Sequence, residues 1–218
     1  MGERIIKIEN LSHKFVEKGE EVIALDGVTF EVFKGEIVFI TGPSGSGKTS
    51  LLEAIAGLLI PDEGIIKIKG VDIYEMDESS RRKFLSKILH FSHQNTPLIS
   101  FLRVYEHLSF HPRCITSKDV NTLLEELNLK EVKNLLPHQL SGGQKKRLSI
   151  ACAYAGSPLI VLLDEPFSEM DLKNAEMINT FIRRKNKEGI TTIVTTHNTA
   201  LIQKHDKVMK MENGRIYL

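Results

Sequence analysis

The chain has 218 residues, 41% of them hydrophobic, with 29 Lys+Arg set against 28 Asp+Glu. That length and apolar content suffice for one large domain with its own core, and they exclude a disordered chain. A formal net charge of +1 gives no electrostatic footprint for a nucleic-acid partner, so function has to be read from local sites. Taken in order, residues 5–8 and 28–32 alternate as half-buried strands do, with a turn at Lys18-Gly19-Glu20 between them. Residues 65–69, bounded by Asp62-Glu63-Gly64 and Gly70, add another strand to the same antiparallel layer. Residues 78–87 read as a helix and 88–92 as a strand. From residue 95 to about 157 leucines recur at helical spacing, in 104–110, 120–129 and 145–155, with no convincing strand. Residues 159–163 form a buried-strand run, 172–187 an amphipathic helix and 191–195 a strand rich in β-branched residues. A closing hairpin, 208–211 with 215–217, turns at Asn213-Gly214.

The organising stretch is G-P-S-G-S-G-K-T, residues 42–49. It follows the apolar run Ile37-Val38-Phe39-Ile40 and precedes Ser50-Leu51-Leu52-Glu53-Ala54-Ile55-Ala56, giving strand, glycine loop and helix. A phosphate-binding P-loop needs that context. Gly42, Gly45 and Gly47 are expected to let the backbone bend closely around phosphate oxygens, with N–H groups and a helix N-terminus facing the anion. Lys48 would bring charge to the β/γ-phosphates and the Thr49 hydroxyl would ligate Mg²⁺. Strands alternating with helices after such a loop imply an α/β fold with a mainly parallel sheet.

Two further stretches suit the same chemistry. Leu159-Ile160-Val161-Leu162-Leu163 ends in Asp164-Glu165-Pro166, so two acids stand at the carboxyl end of a buried strand. Asp164 could hold Mg²⁺ through its water shell, and Glu165 could orient or deprotonate an attacking water. Leu140-Ser141-Gly142-Gly143-Gln144 opens a helix; its serine could be a cap and nothing more, or the helix start could be a second anion site serving another molecule's nucleotide. Cys114 and Cys152 have no metal-ligand spacing and suit structural thiols in a reducing compartment. His90 with His93, and His107 with His111, lack a completing cysteine or carboxylate for a metal site.

These residues together resemble the ATP-binding subunit of the ATP-binding-cassette (ABC) transporter family, over essentially the whole chain. L-S-G-G-Q resembles that family's signature, which P-loop kinases and GTPases lack. G-P-S-G-S-G-K-T is similar to its Walker A loop, Gln94 to the Q-loop, residues 159–165 to Walker B plus the catalytic glutamate, Ser168-Glu169-Met170-Asp171 to the D-loop, and His197 to the switch histidine. The resemblance implies a P-loop NTPase (RecA-like) core, 1–94 and 158–218, with an antiparallel β layer and a helical subdomain, 95–157, all in one ABC ATPase domain. It implies Glu165, His197 and Gln94 in catalysis, and Mg²⁺ on Thr49, Gln94 and Asp164. ATP would be held by Phe15, Gly42, Pro43, Ser44, Gly45, Ser46, Gly47, Lys48, Thr49 and Ser50, and in trans by Ser141, Gly142, Gly143 and Gln144. Phe15 would stack on adenine, or sit as a core or rim phenylalanine.

The partners implied are ATP, a second copy bound head to tail on nucleotide binding, and a separate membrane-spanning transporter subunit. The N-terminus has no cleavable signal pattern and no window nears the ~18 apolar residues that span a bilayer. The expected place is the cytoplasm, peripheral on the inner face of the cell membrane through that subunit. Pro97-Leu98-Ile99-Ser100-Phe101-Leu102 is a candidate docking surface, or else part of the helical subdomain's interior. The short chain is similar to the lipoprotein-releasing, macrolide-export and cell-division type. Departures are Glu169-Met170 where Ala-Leu is common, Asn198 after the histidine where an acid is common, and His93 before Gln94 where an aromatic is usual. Two competing functions are a soluble ABC-type ATPase and an ATP-dependent mechanical module on a membrane partner.

Overall fold

Ten strands and six α-helices build two sheets and their covering layers among the residues that the computed structural model describes, 2–17, 19–95, 97–110 and 116–217. Cys114 and His111, and Lys18 of the first turn, lie outside them. The first sheet is antiparallel, in the order β2-β1-β4-β5: β1 (Arg4–Glu17), β2 (Glu20–Phe33), β4 (Glu63–Ile68) and β5 (Val71–Asp72). Both long strands run well past their alternating segments. Their distal ends form an arm in which Phe15 faces Val22 and Lys14 faces Ile23. Cross-strand pairing extends the strands there although neither face is fully buried.

The second sheet has the order β10-β9-β3-β8-β7-β6. Strands β3 (Ile37–Thr41), β6 (Leu89–Ser92), β7 (Ile160–Asp164), β8 (Thr191–Thr196) and β9 (Lys207–Glu212) run parallel, while β10 (Arg215–Tyr217) closes the edge antiparallel to β9. The two faces divide by the period of two that strand geometry imposes. Val38, Ile40, Leu162 and Ile193 pack toward α1 (Lys48–Ile55) and the antiparallel sheet; Phe39, Val161, Leu163 and Val194 pack toward α5 (Gly142–Tyr154) and α6 (Leu172–Lys187). A strand covered on both sides has no polar face to show, which is why β7 is an unbroken apolar run.

Between β6 and β7 the described residues hold helices and no strand: α3 (Val104–Ser109), α4 (Ser117–Glu126) and α5, with short 3-10 turns between them. The helix α2 (Glu78–Leu85) precedes β6. Two helices begin three residues before their leucine pattern, because caps start them. Thr116 and Asp119 form a reciprocal capping box at α4, and Ser141 and Gln144 form another at α5. No helix among the described residues is long and apolar enough to cross a membrane. Cys152 packs against the core, and burial pushes its thiol up to about 12, so it is inert as a nucleophile at neutral pH.

Candidate functional site

Parallel register brings the carboxyl ends of β3, β7 and β8 to one edge, with Thr41 beside Thr196 and Asp164 beside Thr195. The chain leaves β3 through residues 42–47 and enters α1 at Lys48, whose N-cap position is Gly47. The three glycines of this loop differ in what demands them. At Gly45, with φ +78°, a Cβ would meet nothing within 4 Å, so that position is open toward the cleft. At Gly42 a Cβ would fall 2.1 Å from the Met211 carbonyl oxygen, and at Gly47 2.2 Å from that of Ala24. Those two glycines are dictated by the backbones of β9 and β2, a cause different from the phosphate approach expected from the motif.

Gly47→Ala therefore faces both a left-handed φ of +101° and a backbone clash, whereas Gly45→Ala faces strain alone. We expect Gly45→Ala to cost about 1–2 kcal/mol. Gly47→Ala should cost about 3 kcal/mol or more, since overpacking against immobile backbone adds to the strain. Urea denaturation of the nucleotide-free chains checks the order; equal losses would contradict the packing argument.

Within the loop, Lys48 Nζ donates to the carbonyls of Gly42 and Pro43, both at 2.9 Å, and lies 3.8 Å from Glu165 Oε1. Thr49 Oγ1 donates to Asp164 Oδ2 at 2.9 Å, and Thr195 Oγ1 donates to Asp164 Oδ1 at 2.6 Å. Both acids are nearly withdrawn from solvent, Asp164 at 3% and Glu165 at 8% exposure, as is Lys48 at 7%. Buried charge is tolerated where partners of opposite sign and hydrogen-bond donors surround it, as here. Glu165 adopts φ +45°, a left-handed conformation uncommon for a side chain of this size. Its N–H is held by the Thr195 carbonyl at 3.1 Å and hydroxyl at 3.2 Å, so the strained corner is fixed from β8. Its Oε2 meets His197 Nδ1 at 3.0 Å and accepts from the His197 N–H at 3.3 Å.

These groups line one cleft of about 330 Å³, with Ser44, Gly45, Gly47, Lys48, Thr49 and Ser50 on its floor. Asp164, Glu165, His197 and Gln94 also line it, as do Phe15, Val22, Ile23 and Ala24. Phe15 is 40% exposed and is braced from the side by the His13 ring, edge to face at 4.6 Å. Of the loop residues expected to hold nucleotide, Gly42, Pro43 and Ser46 do not line this cleft. Gly42 packs on Met211, Pro43 turns its carbonyl to Lys48, and the buried Ser46 hydroxyl lies beside Gly42.

The L-S-G-G-Q segment lies elsewhere. Ser141 caps α5 by accepting from the Gln144 N–H at 3.2 Å while Gln144 Oε1 accepts from the Ser141 N–H at 2.8 Å. Gly142 lines a separate cleft of about 260 Å³, together with Gln94, Asn95, Lys145, Lys146, Ser149 and the 168–170 segment. Asp171 caps α6 through the Asn174 N–H at 2.8 Å. Gln94 borders both clefts, but Ser141, Gly142, Gly143 and Gln144 do not line the P-loop cleft of their own chain. Among the described residues no cluster of three His, Cys, Asp or Glu residues could hold a metal ion. Sequence reasoning missed Thr195, whose link to both acids depends on the β7–β8 register, and the apolar lining Val22-Ile23-Ala24, which the β1–β2 arm delivers.

The comparisons with known proteins point one way. A family model described as ABC transporter matches residues 25–168. An uncharacterized ABC transporter ATP-binding protein of Methanocaldococcus jannaschii is 36% identical over 211 residues, covering 93% of this chain and 94% of the relative. The lipoprotein-releasing system ATP-binding protein LolD of Buchnera aphidicola is 32% identical across 98% of this chain and 96% of its own length. The sulfate/thiosulfate import ATP-binding protein CysA of Mesostigma viride is 37% identical across 97% of this chain, which spans 60% of that relative. Among solved structures, a dimeric post-hydrolysis state of the ATP-binding cassette MJ0796 bound to ADP and Pi superposes with a TM-score of 0.90, at 28% identity, over 98% of this chain and 97% of that one. With the P-loop, the paired acids and the L-S-G-G-Q helix start in these places, the chain belongs to the ABC transporter family, among its ATP-binding subunits.

Proposed function

We propose that the chain hydrolyses Mg-ATP in a head-to-tail pair, each nucleotide lying between one copy's P-loop and the other's Ser141-Gly142-Gly143-Gln144. One observation carries this reading: Lys48, Thr49, Asp164, Glu165 and His197 converge in one cleft, while none of Ser141, Gly142, Gly143 and Gln144 of the same chain lines it and Gly142 lines a different one. A complete site then requires a second copy. Phe15 offers a ring face to the adenine. Lys48 and the N–H groups of residues 44, 45 and 47–50 bind the phosphates, where a helix start adds positive potential. Thr49 and Asp164, already in contact, offer the hard-oxygen pair that suits Mg²⁺, with Gln94 lining the same cleft. The ion, when bound, would neutralise phosphate charge. Glu165 takes the proton of the attacking water, and His197 holds Glu165 in place and contacts the γ-phosphate. The γ-phosphate gives the closed pair its extra affinity, so hydrolysis lets it open.

That cycle drives a separate membrane-embedded subunit, with the chain peripheral to the membrane. Relatives named for import and for release align over nearly all of this chain, so the proposal concerns the engine and not the cargo. The docking surface includes Ile99 and Phe101, which are 48% and 77% exposed, whereas Leu98 packs against the core. Capture of tagged Glu165→Gln chain with Mg²⁺ and ATP from gently solubilised membranes of its source cells should bring down a multi-span protein. Recovery of only the chain itself, ribosomes or nucleic acid would overturn the transport reading. Phe101→Asp should lose that protein while its ATPase rate stays within about twofold, because an exposed aromatic that anchors a partner carries a large share of the binding energy and lies outside the nucleotide cleft. Undiminished capture would remove this surface from the interface.

A further inference from the structure

Helix α5 is joined to β6 and the residues after it by a polar ladder. His90 Nδ1 meets the Ala153 carbonyl at 2.8 Å, Ser92 Oγ meets Ser149 Oγ at 2.8 Å, and Lys146 Nζ donates to the Gln94 carbonyl at 2.7 Å. The first two rungs use alternate positions of β6, 90 and 92, and the third follows at Gln94 in the turn beyond it, while on α5 all three share one face, 146, 149 and 153, as the helix period requires. The first two sit within the packed layer. The third stands where β6 has ended, on a residue that borders both clefts.

We propose that Lys146 is a positioning residue for hydrolysis: its charge-assisted hydrogen bond fixes the Gln94 backbone against the signature helix of the same chain, so that the Gln94 side chain enters the nucleotide cleft. The chemistry favours a cation at this rung. An ammonium on a backbone carbonyl makes a stronger bond than a neutral donor. Around it stand Lys145, Glu169 and Ser149 in the shared cleft, and the carboxylates of Asp164, Glu165 and Glu169 oppose the effect of burial on its charge. The neighbouring Arg147 reaches the other way, donating to Asn174 Oδ1 at 2.6 Å, and Asn174 in turn donates to Asp171. The second turn of α5 therefore grips the Q-loop on one side and the start of α6 on the other. This inference rests on the proposed role of Gln94 in the hydrolytic site, but its first test needs no nucleotide.

In Lys146→Met, amide hydrogen exchange in a peptide covering residues 90–95 should accelerate severalfold in the nucleotide-free chain, while exchange in the last turns of α5 stays unchanged. The kcat for ATP should fall about tenfold, or about 1.4 kcal/mol, with affinity for a fluorescent ATP analogue within about twofold. Lys146→Arg should restore both readouts to within about threefold, because a guanidinium can donate to the same carbonyl. Lys146→Ala carries the same test should the methionine variant prove unstable. Wild-type exchange and turnover in the truncations would overturn the proposal, as would an arginine variant no better than methionine. Faster exchange with unchanged kcat would overturn the link to hydrolysis and leave the shared-site reading standing. Conversely, failure of the shared site would not change the exchange result.

Discussion

Glu165→Gln should lower ATP turnover by at least about two orders of magnitude while ATP binding persists and dimers accumulate in the presence of Mg-ATP. The carboxylate is 8% exposed, lies 3.0 Å from His197 Nδ1 and 3.8 Å from Lys48 Nζ, and stands on a backbone corner held by Thr195. An amide keeps the volume and can still accept from the His197 N–H, so the corner should fold as before. It cannot take a proton from water, and the loss therefore falls on the chemical step. Because the γ-phosphate then survives, the closed pair should persist, visible as an ATP-dependent shift in size-exclusion chromatography. Wild-type turnover would remove Glu165 from the role of base; lost turnover without dimers would detach nucleotide from pairing.

Much of this arrangement is written in short stretches. The run at residues 37–40 followed by G-P-S-G-S-G-K-T predicts β3, the loop and α1 almost to the residue, because strand, turn and helix signals abut. The acids after residues 159–163 are legible for the same reason. What stays hidden depends on strand order. Thr195 is 31 residues from Asp164, and nothing local announces that β8 lies between β3 and β7. The need for glycine at 42 and 47 comes from carbonyls of Met211 and Ala24, far away in sequence. The start of α5 is obscured because two glycines are poor helix formers, although the Ser141 and Gln144 box was its available signal. The β1–β2 arm is missed because its alternation fades beyond residue 13, where exposed Val16, Val22 and Ile23 pair across the hairpin without a core beneath them. Local pattern finds the chemistry-bearing residues; tertiary register decides which of them share a cleft.

Ser141→Arg is expected to abolish hydrolysis without weakening ATP binding to the single chain by more than about twofold. The warrant is positional. Ser141 is exposed at the start of α5 and borders no part of the cleft that holds Lys48, Glu165 and His197. A defect there can reach the chemistry through a second copy. The substitution also removes a helix cap, which costs about 1 kcal/mol. Ser141→Ala carries that loss without the added bulk and charge, and should retain a larger share of the wild-type rate. Combining Ser141→Arg with Glu165→Gln sharpens the test. If the signature closes over the partner's nucleotide, the double variant should bind ATP and stay monomeric, in contrast to Glu165→Gln alone. ATP-dependent dimers of the double variant would remove Ser141 from the closure over the nucleotide, and normal turnover of Ser141→Arg would refute the shared site. The cleft lined by Gly142 and Lys146 would then be a structural joint and not half of an active site.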